Sequence, residues 1–234
     1  ISIAMFLMVL VTSTVQYVKD RKKRKRNEEK RHRVYTAYLQ NLREEMYELS
    51  EKQKYVLNYH YPSFEEMKQM TNQLSGRIWE RTLDSYDFLE FRLGTGNVPA
   101  SYEIKLSSGD LANRDIDDLL VQAQRMESVY KEIPSAPITT RLSDGILGLV
   151  GKESVIQREL HQIVGQLAFS HSYHDTRFIY IFDHKEYKEV EWMKWLPHFT
   201  LPNMHAKGLI HNEETRDQLL SSLYEIIRER DIDE

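Results

Sequence analysis

The sequence contains no cysteine. Disulfides, thiol catalysis and cysteine-ligated zinc or iron–sulfur centres are therefore excluded. It also lacks a complete GxxxxGK(S/T) phosphate loop. No nucleophile elbow, Ser/His/Asp set or paired-carboxylate motif can be argued from spacing. Residues 1–18 have no charge, no glycine and no proline. The chain starts on Ile1 rather than Met, and a native protein continuing on both sides is expected.

Charged residues make up 29% and apolar residues 41% of the 234, the balance of ordinary globular sequence. That length suits one sizeable domain with an appendage. Charge is unevenly spread. Residues 20–33 hold nine Lys/Arg against three Asp/Glu, a local +6, which leaves −10 on the remainder of a chain whose net charge is −4. An acidic remainder is a poor general nucleic-acid binder.

At about 1.5 Å per residue, Ile1–Val18 spans roughly 27 Å, close to a bilayer core of about 30 Å. Six cations, Arg21–Arg26, follow it. That order is wrong for a secretory signal peptide. It predicts the C-terminal part of a transmembrane helix over 1–18, with residues after about 19 in the cytoplasm. A basic juxtamembrane and helical stalk is expected over 19–61. Its seam is Tyr35, Leu39, Leu42, Met46, Leu49, Gln53 and Val56, spaced as a heptad repeat. A modest coiled coil and a helix docked on its own domain are equally compatible with that seam.

Pro62 ends the stalk, and Ser63-Phe64-Glu65-Glu66 is a capping box that starts a new helix. Residues 77–85 read as a further helical turn, with Glu80 and Arg81 as a structural ion pair. Residues 87–93 and 101–106 read as a hairpin whose turn is Gly94–Pro99. Helices are expected over 115–133, 153–170 and 213–230, and strands over 138–142, 146–150, 178–182 and 208–211. Gly165 inside a helix suggests close packing on a sheet. The alternation predicts an α/β domain over 62–234, layered, with a largely parallel sheet and flanking helices.

The stretch 146–183 has the layout of a phosphate-loop unit: strand, glycine turn, helix, strand ending in Asp183. Gly151 and Lys152 fit, but Ile146 stands where the first glycine belongs and Glu153 where the metal-binding hydroxyl belongs. Ser154 is one place late. A carboxylate at a helix N-terminus occupies the place of a phosphate. A non-hydrolysing relic of an NTPase fold follows, with weak ATP binding still open and Mg²⁺ only alongside nucleotide. Its tentative nucleotide site is Gly148, Gly151, Lys152, Glu153, Ser154 and Asp183. His171, His174 and Asp175, with His161 before them, do not have a zinc spacing, and a solvated or hydrogen-bonded loop is expected. Trp192, Trp195, Pro197 and His198 read as core packing, with a docking surface as the alternative.

Several of these motifs resemble one family. They are Trp79-Glu80-Arg81, Asp87-Phe88-Leu89, Arg92-Leu93-Gly94-Thr95-Gly96, Gly148-Leu149-Val150-Gly151, Gln166–Tyr173 and Trp195-Leu196-Pro197-His198. Together they are similar to the membrane-proximal segment of the FtsK/SpoIIIE-type membrane ATPases of type VII secretion (EssC/YukB/EccC-like proteins). The resemblance covers nearly the whole chain. It implies a multi-ATPase motor in the cell membrane that exports small helical WXG100-type proteins, with its active ATPase modules beyond Glu234. It also implies, as partners, other membrane subunits of the secretion system and neighbouring copies of the motor, up to a hexamer. On this basis the segment is a coupling domain. An active or nucleotide-sensing NTPase domain is the alternative, and a DNA-translocase relative, which the acidic remainder disfavours, is a further one.

Overall fold

The computed structural model describes residues 2–105, 118–201 and 207–232. The chain divides into two compact units, Ile1–Tyr59 with Thr95–Ala136, and His60–Gly94 with Pro137–Glu234. Both divisions fall inside strands that pair with each other, β1 (Glu90–Pro99) and β2 (Glu132–Arg141). The Leu142 N–H donates to the Leu89 carbonyl just outside one end of the pair, and the Ala100 N–H donates to the Lys131 carbonyl just outside the other. The two strands therefore run in opposite directions.

In the first unit one unbroken helix, α1 (Ser2–His60), carries both the apolar run and the stalk. Most of its heptad seam is a docking face within its own unit, although Leu49 and Val56 are exposed. Leu39 is buried, and Tyr35, Leu42, Met46 and Gln53 are half-buried. Gln53 Nε2 donates to the Pro99 carbonyl at 3.1 Å, and its Oε1 accepts from the Ser101 N–H at 2.7 Å. Leu39 also lines a cavity of about 420 Å³ with Met126 of α3 (Asp118–Tyr130), whose Leu119 and Ala123 are buried. The start of α3 expected at Asp115 lies outside the described residues.

Among the described residues no helix is long and apolar enough to cross a membrane. Thr12, Ser13, Thr14, Gln16 and Tyr17 dilute the run after Val11, and the cations begin at Lys19. Residues 5–18 are helical and exposed.

In the second unit, α2 (Phe64–Asn72) begins on the full capping box. The Glu66 N–H reaches Ser63 Oγ, and Glu66 Oε2 accepts the Ser63 N–H at 2.7 Å. The serine contacts hold the Glu66 carboxyl below its ordinary pKa. Helix α4 (Glu153–Ser170) has the bounds its periodicity predicts. Gly165 is explained by α2 rather than by a sheet: a Cβ there would come within 2.6 Å of the Phe64 ring. Strands β3 (Tyr180–Ile181) and β4 (Leu209–Ile210) pair in parallel, Tyr180 opposite Leu209 and Ile181 opposite Ile210. A Cβ at Gly208 would collide with the Phe178 carbonyl oxygen, so the backbones of these strands approach at a glycine. Among the described residues, the segment between β3 and β4 holds α5 (Tyr187–Val190) and three 3₁₀ turns, His184–Glu186, Glu191–Trp195 and Pro197–Phe199. Helix α6 (Glu213–Ile232) closes the chain. Val190, Met193, Phe199 and Leu209 form one buried cluster, and Leu201, Ile210 and Leu219 form another.

The architecture is thus mixed helix and strand, and among the described residues its sheets are two two-stranded pairs. The large parallel layer expected for the second unit is not formed by them. The expected hairpin over 87–106 is replaced by β1, which runs straight through Gly94-Thr95-Gly96 with alternating burial and pairs with β2. Residues 101–105 form no strand, and Leu106 lies outside the described residues. Pro134 and Pro137 fall within β2 rather than in a break after α3. A two-stranded sheet has only edges, where proline costs no inner ladder bond. Residues 77–80 form turns rather than a helix.

Candidate functional site

The two ends of α4 are built differently. At the N-terminal end, residues 146–150 form no strand. Their side chains alternate, however. Ile146 and Val150 are fully exposed, while Leu147 and Leu149 line a cavity of about 510 Å³ with Ile156, Leu160 and Ile163 of α4 and Tyr180 of β3. Gly145, at φ 148°, turns the chain into this segment. Gly148, Gly151, Lys152, Glu153 and Ser154 are all exposed. Lys152 is the N-cap residue and supplies no side-chain cap. Its carbonyl accepts from the Val155 and Ile156 N–H groups at 2.9 and 3.0 Å. Glu153 stands in the first turn, where the helix dipole favours an anion and a protein carboxylate already supplies one. Asp183 follows β3 and caps the 3₁₀ turn His184–Glu186, accepting the Lys185 N–H at 3.0 Å. That bond and the Lys185 charge hold its carboxyl below the ordinary carboxylate range. No hydrogen bond or ion pair described here joins Asp183 to the Gly151–Ser154 turn. The residues present do not fit a bound Mg-nucleotide: the strand before the turn is missing and Glu153 replaces the metal-binding hydroxyl.

The C-terminal end is buried and fully engaged. Helix α4 ends on Ser170-His171 without the glycine that commonly closes a helix, so its last carbonyls need donors from elsewhere. His171 N–H donates to the Leu167 carbonyl at 3.0 Å. Trp79 Nε1 donates to Ala168 at 3.0 Å, the Trp79 N–H to Phe169 at 2.8 Å and the Arg81 N–H to Ser170 at 3.0 Å. Trp79 holds a positive φ of 60° to do this, a conformation unusual for a bulky residue. Gln166, buried in the last turn, pairs with the Arg92 backbone of β1. Its Oε1 accepts at 3.0 Å and its Nε2 donates to the carbonyl at 2.9 Å.

Arg81 then joins this end to the preceding loop. Its Nε meets Asp87 Oδ2 at 2.9 Å with both side chains buried. Its other nitrogens donate to the His60 carbonyl at 2.8 Å and to the Glu90 carbonyl, and the guanidinium lies 5.0 Å over the Tyr61 ring. The ion pair expected between Glu80 and Arg81 is therefore redistributed. Arg81 pairs with Asp87, and Glu80 takes a bidentate pair from Arg77, because adjacent residues in a turn point apart. Glu90 is clasped by Thr139 Oγ1 at 2.6 Å and Arg141 at 3.2 Å. Burial pushes its pKa up, but the hydrogen bonds from Thr139, Tyr61 and Arg141 outweigh it and hold the carboxyl below its usual range.

Two histidines complete the buried end. His171 Nε2 accepts the Leu89 N–H at 2.9 Å, which leaves Nδ1–H to donate to the Leu167 carbonyl at 3.1 Å and fixes a neutral tautomer. His198 Nε2 donates to the His171 carbonyl at 2.9 Å, and its ring stacks on Phe178 at 5.0 Å. Burial lowers the pKa of both. His161 instead meets Trp192 edge-on at 5.5 Å, and His174 stacks on Tyr173 at 4.1 Å. His198 is core as expected. Trp192 and Trp195 are not: they are 38% and 80% exposed, with Lys194 Nζ 5.3 Å from the Trp195 ring.

No protein-family profile matches the chain. Individual proteins do. It is 59% identical over all 234 residues to the ESX secretion system protein YukB of Bacillus subtilis and 58% identical to the ESX secretion system protein EccC of Geobacillus thermodenitrificans. It is 34% identical over 228 residues, 97% of its length, to the type VII secretion system protein EssC of Staphylococcus aureus. The chain belongs to the YukB/EccC/EssC family of type VII secretion proteins. It spans about 16% of the length of the first two relatives and 15% of the third. Of the motifs that carry the family resemblance, Trp79–Arg81, Asp87–Leu89, Arg92, Gln166–His171 and His198 cluster at the buried end of α4, whereas Gly148, Val150, Gly151 and Trp195 are exposed. Gln166 lies on the polar face of α4, which helical periodicity alone would assign to solvent, yet it is buried. The missing glycine after Ser170 was the signal that donors had to arrive from elsewhere.

Proposed function

We propose that this segment is a non-hydrolysing, membrane-proximal coupling domain of a type VII secretion motor, and that the motor exports small helical WXG100-type proteins. One observation carries this reading: most of the family's motif residues are spent on fixing the buried end of α4, while the Gly151–Ser154 turn, which shares Gly151 with another of those motifs, stays open and holds its own carboxylate. A rigid clasp suits a part that transmits force between a channel and distant ATPase modules. The names of the relatives support membership of a secretion apparatus, and with it other secretion subunits and neighbouring copies as partners. The exposed apolar residues Met5–Leu10, followed by the cations at 21–26, support anchoring of α1 at the cytoplasmic face of the cell membrane.

The test uses the 234-residue chain, a fluorescent ATP analogue with Mg²⁺, and a phosphate-release assay. The expected result is no turnover, with Lys152→Ala indistinguishable from the parent. Turnover that Lys152→Ala abolishes would establish an active NTPase domain instead. Saturable binding without turnover would make the turn a nucleotide sensor.

A further inference from the structure

A histidine lies shortly beyond the end of each of the parallel strands β3 and β4. Asp183-His184 follow β3, and His211 follows β4 directly. The carboxyl ends of parallel strands are where open α/β sheets gather ligand-binding groups. Here the two imidazoles face one another. Nδ1 of His184 lies 3.0 Å from Nδ1 of His211, and the ring centroids are 5.0 Å apart at 42°. One Nδ1 donates to the other, so two nitrogen donors from separate strands converge on a single proton. His184 is exposed and its ring can turn. His211 is half-buried, held edge-on by the Tyr187 ring at 4.9 Å and beside Phe182 at 5.6 Å.

We propose that His184 and His211 form a two-histidine site for a first-row divalent transition ion of the Ni²⁺, Cu²⁺ or Zn²⁺ class. Metal–imidazole bonds are about 2.0–2.1 Å, so nitrogens 3.0 Å apart subtend roughly 90° at the ion, the cis angle of a tetragonal site. Small ring rotations swing both lone pairs onto it, and the shared proton moves to the free Nε2 of the donor ring. A tetrahedral Zn²⁺ asks for a few tenths of an ångström more separation. Imidazole donors favour these ions over Mg²⁺ or Ca²⁺, which take oxygen. Among the described residues no third His, Cys, Asp or Glu completes a cluster. Water or an exogenous donor must therefore fill the remaining positions. His211 also lines a cavity of about 240 Å³ with Lys194, Lys207 and Thr215. Neither histidine belongs to the Gly151–Ser154 turn, although His184 directly follows Asp183 of the tentative nucleotide set.

Calorimetric titration of the full, tag-free chain with NiCl₂ and separately with ZnCl₂ at pH 7.5 tests this. The expected result is one ion per chain at micromolar concentration, weakened at least tenfold by His184→Ala and equally by His211→Ala, and unchanged by His174→Ala. Histidine ring NMR should shift at residues 184 and 211 on adding Zn²⁺. Absence of saturable binding below about 1 mM, or binding that survives both substitutions in chains whose circular dichroism matches the parent, overturns the site.

Discussion

The two ends of α4 carry opposite structural solutions on one helix. At its start, residues 151–155 are exposed, the cap has no side-chain bond and the preceding segment pairs with no strand among the described residues. At its end, residues 166–171 are buried, and the carbonyls of residues 167–170 each accept a hydrogen bond, two of them from Trp79. The start looks like an active site in sequence and is loosely held. The end looks like an assortment of weak motifs and is the most tightly specified place in the second unit. Motif conspicuousness and structural commitment are different properties, because a helix C-terminus without glycine must recruit donors from remote segments.

The strongest way to break the contrast is Arg81→Ala. It strands Asp87 as a buried unpaired carboxylate and removes the donors to the His60 and Glu90 carbonyls. Losing one partner of a buried pair costs about 3–5 kcal/mol, so the urea midpoint should fall steeply or the second unit should fail to fold. Gln166→Ala removes two bonds to the β1 backbone. It should cost about 1–3 kcal/mol, read from urea denaturation, with helix content by circular dichroism unchanged.

The histidines sharpen the contrast through pH. Both His171 and His198 have folded-state pKa values lowered by burial below the ordinary value of about 6.5. On acidification the unfolded chain takes up protons first. The stability these neutral rings contribute is therefore whole above about pH 6.5 and is lost as pH falls through the lowered folded values. Denaturation midpoints should drop between pH 7.5 and 5.5, by at most about 1.4 kcal/mol per pH unit for each ring. His198→Gln, which keeps a donor for the His171 carbonyl, should flatten that slope. The smallest effect belongs to the exposed end. Lys152→Ala should change unfolding free energy by less than about 0.5 kcal/mol, the range of ordinary surface substitutions. A loss above 2 kcal/mol there would abolish the distinction between the two ends.

Much of the helical framework was legible. The bounds of α4, the capping box of α2 and the start of α6 at Glu213 follow from apolar periodicity and cap residues, which act within a few positions of one another. The strands were less legible. Gly94 and Gly96 look like a turn, yet they lie in β1 because β2, more than 30 residues later, supplies its pairing. The run at 146–150 has strand composition and even strand alternation, but a strand has no hydrogen bonds of its own and here finds no partner among the described residues. The tentative nucleotide residues could be named from spacing. Their exposure, and the recruitment of Gln166 and His171 into a buried clasp, could not.

By itself, then, the sequence determined what depends on neighbours along the chain: helix extents, caps, the charge step at residue 19, the absence of thiol chemistry and the secretion-family membership carried by its motifs. Tertiary structure decided which strands paired, how Arg81 chose Asp87 over Glu80, and that His184 meets His211. Each of those outcomes joins groups whose separation along the chain says nothing about their separation in space. Burial and hydrogen-bond satisfaction, which belong to the folded chain as a whole, select among them.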